Sequence, residues 1–250
     1  MTARSPSASP RFTSRRVVRS LAFVSVALAA LVASASSVVV SHSEAQQAPT
    51  ALQVAARVQH FYDQVPVVRM RFFQTYYVKL HNRYERSSGT VTFKKPGKMF
   101  WRYDAPNLKI LVSDGTHIQL FEPGSAGEPG QVVETAVADS ELPQALSFLT
   151  GQGRLEEQYA FRLVDPRTQG FDVPGGQVLE LRPRRTNPNY ERLLLYVTNG
   201  SMVVRVLVIG HDGNRNRFDF SHVEVARVNA PDSDFVWHPP AGTRRVTTAN

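Results

Sequence analysis

The stretch from Gly89 to Glu122 constrains the fold of this chain more than any other. It contains four short runs in which apolar residues alternate with polar ones, each bounded by a turn signal, and this pattern predicts an antiparallel meander. The predicted strands are Thr90–Lys94, Met99–Tyr103, Leu108–Ser113 and Thr116–Glu122. Asp114-Gly115 predicts a type I′ hairpin turn, because both residues tolerate the positive φ that this turn requires.

The alternation also sorts the side chains of the meander by face. If the Pro96-Gly97 corner keeps the parity, one face carries large apolar side chains, namely those of Val91, Phe93, Met99, Trp101 and Tyr103. The opposite face is mainly polar and includes Lys94 and Arg102. An aromatic face of this size needs a cover. Two interpretations stay open: an ordinary core, or an apolar cavity that accepts a ligand.

Helices flank the meander and are candidates for that cover. Thr50 is predicted to cap a helix from Ala51 to Gln64 that ends before Pro66, with Val58 and Tyr62 on its apolar face. A second, shorter helix is predicted for Glu141 to Thr150. Its apolar positions are Leu142, Ala145, Leu146 and Leu149, and Gly151 ends it.

Strands are predicted on both sides of these elements. Val67 to Leu80 predicts a strand with Val68, Met70 and Phe72 on one face, followed by a polar turn over residues 81–88. A short strand at Gln131–Thr135 precedes the second helix. Further strands are predicted at Tyr159–Val164, Gln177–Arg182, Arg192–Val197, Met202–Ile209 and Arg215–Ala226. About eleven strands and two helices predict a mainly antiparallel sheet, strongly curved or partly closed.

Residues 1–45 resemble an export signal. Arg11, Arg15, Arg16 and Arg19 form a basic region before Leu21 to Val40, which contains no charge, and a polar run then ends at Ala45. We expect cleavage after Ala45, with Ala35 as the alternative site. The apolar run is also long enough for an uncleaved anchor. The rest, residues 46–250, is expected to be a single domain.

Composition excludes several classes of function. The chain has a net charge of +8, but residues 1–45 hold five Arg and one Glu, which leaves 24 basic and 20 acidic residues, or +4. This excess is too small to indicate nucleic-acid binding. None of the seven histidines stands at metal-ligand spacing with another ligand. There is no cysteine, no phosphate-binding loop and no nucleophile elbow. We therefore expect a binding protein without cofactor, metal or catalytic residue.

The aromatic face is the strongest functional candidate. We expect a concave surface lined by Val68, Met70, Phe72, Val91, Phe93, Met99, Trp101 and Tyr103. Helical residues above it would form a lid, namely Val58, Tyr62, Leu142, Leu146 and Leu149. An acyl chain suits such a surface, since its transfer from water contributes ~0.8 kcal/mol per buried CH₂.

The chain resembles the LolA family of periplasmic lipoprotein carriers. The resemblance rests on Phe72-Phe73-Gln74, on Gly89, on the run from Phe93 to Tyr103 with Pro106, on Leu111 to Gly115, and on Phe235 to Gly242. It implies an incomplete antiparallel β-barrel whose helices form a lid over a hydrophobic cavity.

The resemblance also implies partners and a mechanism. Family members receive triacylated lipoproteins from an inner-membrane ABC transporter and deliver them to an outer-membrane receptor lipoprotein, without using nucleotide. Before the proline of the K-x-P motif the family has an arginine that hydrogen-bonds to the lid, and here this position is Lys95. Lysine lacks the planar fork of arginine, so the latch is expected to be looser. We expect a periplasmic monomer.

Two alternative functions stay open. A periplasmic stress sensor of the RseB type shares the fold but has a further C-terminal domain, for which the residues after Val246 leave no room. An exported lipid hydrolase would need a nucleophile and a base clustered at the cavity mouth.

Overall fold

The structure, a computed structural model, describes residues 48–125, 127–137, 145–226 and 230–247. The predicted export signal, residues 1–45, lies outside this part of the chain. Gln47–Asn250 forms one compact unit. No helix within the described ranges is both long and apolar enough to cross a membrane.

The first helix, α1 (Ala51–Asp63), forms where the sequence predicts it. Thr50 Oγ1 accepts a hydrogen bond from the Gln53 backbone N–H at 3.2 Å, and the Gln53 side chain accepts one from the Thr50 N–H at 2.8 Å. These two bonds form a capping box, which satisfies two donors at the start of the helix. Pro66 follows within three residues of the helix end.

Twelve strands follow, all in one sheet. They are β1 (Val67–Val78), β2 (Arg83–Lys94), β3 (Lys98–Tyr103), β4 (Ile110–Ser113), β5 (His117–Glu122), β6 (Gln131–Ala136), β7 (Tyr159–Val164), β8 (Gln177–Pro183), β9 (Arg192–Val197), β10 (Val203–Ile209), β11 (Arg215–Ala226) and β12 (Arg244–Thr247). A further α-helix among the described residues is the single turn α2 (Leu155–Gln158).

The strand order is β12-β6-β5-β4-β3-β2-β1-β11-β10-β9-β8-β7. Every neighbouring pair is antiparallel except β12 and β6, which run parallel. The two edge strands, β12 and β7, do not pair, so the sheet stays open. This arrangement confirms the predicted mainly β fold with an incompletely closed antiparallel sheet. The unpredicted strand is β12, whose four residues are too short a run to show alternation.

The segment 81–88 corrects one prediction. It was expected to be a polar turn, but residues 83–88 continue β2 and pair with β1 up to Val78 and Arg83. The rings of Tyr77 and Tyr84 lie 4.8 Å apart across this hairpin. Most residues here are exposed on both faces, so no alternation of polarity marked the strand.

The hairpin between β4 and β5 is confirmed, but its turn type was wrong. The Asp114 N–H donates to the His117 carbonyl at 3.2 Å, which makes Gly115 and Thr116 the central residues. Of Asp114 and Gly115, only Gly115 has a positive φ, at 109°. The Asp114 carboxylate instead accepts hydrogen bonds from the N–H groups of Thr116 and His117, both at 2.8 Å. This aspartate shapes the turn by its side chain.

Lys94 lies on the predicted polar face, yet it is buried. Its side chain is 5% exposed and forms an ion pair with Asp232. Its ammonium group also donates to the Ala230 carbonyl and lies 5.8 Å from the Phe235 ring centre. The hydrogen bond from Lys94 holds the pKa of Asp232 below its usual value. The C-terminal segment therefore covers this face, a long-range contact that strand alternation cannot predict.

On the other half of the sheet the outer face carries a buried carboxylate. The Glu180 side chain is 6% exposed and accepts hydrogen bonds from Arg162 at 2.8 Å and Arg182 at 2.9 Å. Burial raises the pKa of Glu180, but the two arginines outweigh it and hold the pKa below its ordinary value.

Glu180→Gln tests this ion cluster. A carboxyl whose pKa is lowered on folding stabilises the fold above its unfolded pKa of about 4.3, and this contribution is lost as the pH falls through the folded value. We expect the variant to lose about 1 kcal/mol at pH 7, since both arginines are half exposed, and to lose less further stability than the wild type between pH 5 and pH 2. Urea unfolding across this pH range measures the difference. Glu85→Gln, in an exposed ion pair with Arg83, is the control, and equal pH profiles for both variants would contradict the prediction.

Candidate functional site

The inner face of the sheet brings the predicted lining residues together. Seven of the eight are buried members of the main hydrophobic core, and Tyr103 packs against them partly buried. These seven are Val68, Met70, Phe72, Val91, Phe93, Met99 and Trp101. In this state they contact one another, so the face is a packed interior. Their role in binding acyl chains stays a prediction.

Strand register places these side chains next to one another. Val91 lies opposite Trp101, and Phe93 lies opposite Met99. The Pro96-Gly97 corner therefore keeps the parity of the alternation, as predicted. On the other side of β2, Met70 pairs with Val91, so the three strands present one continuous apolar surface.

Aromatic rings fill the centre of this surface. The Trp101 ring lies 5.0 Å from that of Phe72, 5.6 Å from that of Phe93 and 5.4 Å from that of Phe218, all in edge-to-face geometry. The Phe72 ring also contacts Tyr103 at 4.9 Å. Phe218 was not among the predicted lining residues. It lies on β11, which becomes the neighbour of β1 only through pairing over more than 140 residues.

The absence of a side chain at Gly89 leaves space for the Phe72 ring. Gly89 lies between Phe72 on β1 and Tyr103 on β3. A Cβ atom at Gly89 would be 2.7 Å from the Phe72 ring and 2.1 Å from the Arg102 carbonyl oxygen. A side chain at this position is therefore incompatible with the observed packing.

Four of the five predicted lid residues belong to the same hydrophobic core as this surface. Val58 and Tyr62 on α1 are buried, as are Leu146 and Leu149 at the 3₁₀ turn Ser147–Thr150. The Tyr62 ring contacts Phe148 at 5.7 Å, which joins α1 to this turn. Leu142 lies outside the described residues. Gly151, with a φ of 72°, ends the turn as expected.

Lys95 links the sheet to α1. Its ammonium group donates to the Tyr62 carbonyl in the last turn of α1, and its backbone N–H donates to the Pro66 carbonyl at 3.0 Å. Burial lowers the pKa of Lys95, and the Asp63 carboxylate opposes this shift. Closing α1 over a charged lysine therefore costs desolvation, which makes the contact weaker than its geometry suggests.

The same lysine touches the second covering segment. A Cβ atom at Gly151 would lie 3.1 Å from the Lys95 side chain. In addition, the Gly97 N–H donates to the Thr150 carbonyl at 2.9 Å, and the Gln152 amide donates to the Gly115 carbonyl at 2.7 Å. The β2–β3 corner thus contacts both segments that cover the aromatic face, α1 through Lys95 and the turn Ser147–Thr150 through Gly97.

Further polar contacts hold α1, and the sequence did not indicate them. The Val203 N–H donates to the Tyr62 hydroxyl at 3.1 Å, and the Leu155 N–H donates to the Gln59 side chain at 3.0 Å. The Gln59 amide also donates to Asp63 at 2.9 Å. The cover therefore rests on apolar contacts and on a small set of hydrogen bonds to its last two turns.

A groove of about 610 Å³ runs along the outer flank of α1. Phe61, Val65 and Pro66 line it on the helix side, and Gly200, Ser201, Val225 and Ala226 line it on the sheet side. It borders the last turn of α1, and Arg57 and His60 also line it.

No cluster of three or more His, Asp or Glu side chains able to hold a metal ion occurs in the part of the chain that the structure describes. The ion pairs of Lys94 with Asp232 and of Glu180 with its arginines lie on the face of the sheet opposite the aromatic interior.

Comparisons with known proteins agree with this geometry. The family model described as outer membrane lipoprotein carrier protein LolA matches residues 63–235. An outer-membrane lipoprotein carrier protein from Nitrosospira multiformis is 31% identical over 184 residues, 73% of this chain and 83% of the relative. One from Alkalilimnicola ehrlichii is 29% identical over 227 residues, 88% of this chain and 94% of the relative.

Solved structures of low sequence identity also align with the chain. A LolA superfamily protein from Nitrosomonas europaea is 12% identical, with 76% of this chain and 99% of that chain covered and a TM-score of 0.43. The family model spans β1 to β11, which include the aromatic face and the Lys95 corner. The chain belongs to the LolA family of outer-membrane lipoprotein carrier proteins.

Proposed function

We propose that this protein carries acylated lipoproteins across the periplasm, with their acyl chains held between the aromatic face of the sheet and α1. The observation that carries this proposal is the Lys95 contact, a partly desolvated polar link between an apolar interior and its helical cover. Relatives bearing the name of outer-membrane lipoprotein carriers support it. The role is binding and release, without a chemical step.

The aromatic interior has the chemistry that an acyl chain requires. Its lining is apolar, and each buried CH₂ of a ligand contributes ~0.8 kcal/mol. Because the interior is packed in this state, ligand entry requires the cover to move, and the groove beside α1 is the entrance we propose. Proteins that bind ligands under a movable cover use such closure to commit and to release them.

The pathway follows from this assignment. Residues 1–45 would direct export and be removed, and the mature protein would accept triacylated lipoproteins from an inner-membrane ABC transporter. It would deliver them to an outer-membrane receptor lipoprotein. The carrier would act as a monomer without cofactor, and Lys95 would couple closure of the cover to release of the cargo.

Native mass spectrometry of the protein purified from its own periplasm tests the proposal. We expect a bound triacylated lipoprotein or its acylated fragment, released on denaturation, and a protein mass that begins after residue 45. A mass beginning after residue 35 would move the cleavage site, and an uncleaved mass would identify an anchor. Bound phospholipid alone would favour a lipid carrier or a sensor, and an empty protein that also fails to take up added lipoprotein would overturn the proposal.

A further inference from the structure

The aromatic interior contains a buried hydrogen-bond donor that has no acceptor among the residues that the structure describes. Trp101 is completely buried, and its Nε1–H has no hydrogen-bond partner among the residues that the structure describes. Tyr103 lies two residues further along β3 on the same face, next to the same Phe72 ring. Tyr103 is only partly buried, its hydroxyl takes part in no hydrogen bond within the described ranges, and burial raises its pKa.

Other buried polar side chains in this interior do have partners. The Tyr62 hydroxyl accepts from Val203, and the hydroxyls of Tyr159 and Tyr190 lie 2.6 Å apart. Native proteins leave few buried polar groups unpaired, because each such group loses its hydrogen bonds to water. The unpaired indole of Trp101 is therefore an exception at the point where we place the ligand.

The surroundings of Trp101 offer it no strong acceptor. The rings of Phe72, Phe93 and Phe218 enclose it, and aromatic rings accept hydrogen bonds only weakly. An ester-linked acyl chain supplies what is missing, since its methylene groups suit the rings and its carbonyl oxygen is an acceptor that needs a donor. The two esters of a diacylglyceryl group stand on adjacent carbons, so a pair of neighbouring donors can serve both.

We propose that Trp101 Nε1–H and the Tyr103 hydroxyl donate hydrogen bonds to the ester carbonyls of a bound diacylglyceryl group. The site would then recognise ester-linked acyl chains rather than hydrocarbon alone. This inference rests on the proposed carrier function and adds a chemical specificity to it. The Cα atoms of Trp101 and Tyr103 are about 6.6 Å apart along β3, so this strand carries both donors on one face of an otherwise apolar surface.

A pair of matched lipids tests the specificity. The probes are dioctanoyl phosphatidylglycerol, which has two esters, and its di-O-octyl ether analogue, which has none, both below their micelle concentrations. Calorimetric titration of the mature wild-type protein should show about fivefold tighter binding of the ester, the range expected for one or two net hydrogen bonds. Trp101→Phe and Tyr103→Phe should each reduce the ratio of ester affinity to ether affinity, whatever change they cause in the binding of both lipids.

Indole NMR gives a second readout that needs no variant. The chain has two tryptophans, and Trp237 packs against Phe121 on the other side of the sheet, so its resonance is an internal reference. The Trp101 Nε1–H resonance should move downfield with the ester lipid and not with the ether, while that of Trp237 stays in place.

The outcomes separate this inference from the carrier function. If the wild type binds ester and ether equally and the Trp101 resonance responds equally to both, the donors do not contact the esters and the inference is wrong, while the carrier function stands. If the wild type binds neither these lipids nor an acylated lipoprotein, the carrier function fails and the inference fails with it.

Discussion

Lys95→Leu should slow the release of bound acyl cargo about tenfold. In the structure, with α1 packed over the aromatic interior, the Lys95 ammonium donates to the Tyr62 carbonyl, and we expect this bond to break when α1 moves away. A hydrogen bond from a charged group contributes ~1.5 kcal/mol at the lower end of its range, which applies here because Lys95 is partly exposed. Removing it destabilises the empty, closed state relative to the loaded one, and the apparent affinity for cargo rises accordingly.

Transfer of a fluorescent triacylated peptide from the loaded protein to acceptor vesicles measures this effect. Lys98→Leu is the matched control, because Lys98 lies three residues away, forms an ion pair with Asp232 at 3.6 Å and makes no hydrogen bond or ion pair with α1 among the described residues. Lys95→Arg adds a planar fork that can reach the same carbonyl and should speed release. Equal release rates for wild type and Lys95→Leu would show that this lysine does not govern the cover.

Gly89→Ala should lower the free energy of unfolding by about 3 kcal/mol, at the upper end of the usual overpacking range. The added methyl group would lie 2.1 Å from the Arg102 carbonyl oxygen and 2.7 Å from the Phe72 ring. Both the β2–β3 pairing and the ring at the centre of the aromatic cluster would have to move. For a domain of this size, the melting temperature should fall by roughly 6–12 °C.

Gly200→Ala is the control for this variant. A Cβ atom at Gly200 would have one neighbour within 4 Å, Thr198 Oγ1 at 3.9 Å, so the substitution should be close to neutral. Urea unfolding and thermal melting of both variants make the comparison. If Gly89→Ala were as stable as Gly200→Ala, the packing of the Phe72 ring would not depend on the missing side chain at Gly89.

The two variants address different properties of the same interior. Gly89 leaves space for the Phe72 ring beside β2, so replacing Gly89 should act mainly on the stability of the fold. Lys95 acts on the cover, so its replacement should change release with little effect on unfolding. Measuring both properties for both variants separates packing of the interior from control of access to it.

Local sequence patterns were sufficient for most individual elements. The capping box at Thr50 and Gln53 and the stop at Pro66 act within a few residues, so the first helix could be located closely. Period-two alternation located the strands of the meander and showed that Val91, Phe93, Met99 and Trp101 share a face. Where local polarity was uniform, as in residues 83–88, the same method missed half a strand.

The site required contacts between distant parts of the chain. Phe218 meets Trp101 only because β11 returns to pair with β1, and Lys94 is buried only because the C-terminal segment covers its face. The hydrogen bonds of Tyr62 and Gln59 to Val203 and Leu155 span about 100 to 140 residues. The polarity of a side chain and its position in a repeating pattern indicate which face of an element it lies on. They do not indicate which distant residues pack against it.

The sequence by itself determined that this chain forms an antiparallel sheet with one aromatic face, because alternation and turn chemistry are local properties of the backbone. It also identified Lys95 as the residue at the corner, through its family resemblance. Only the tertiary structure decided that the aromatic face is closed, that Lys95 reaches the end of α1, and that Trp101 is left without an acceptor. These facts depend on burial and on hydrogen-bond geometry, which arise only when strands and helices far apart in sequence pack against one another.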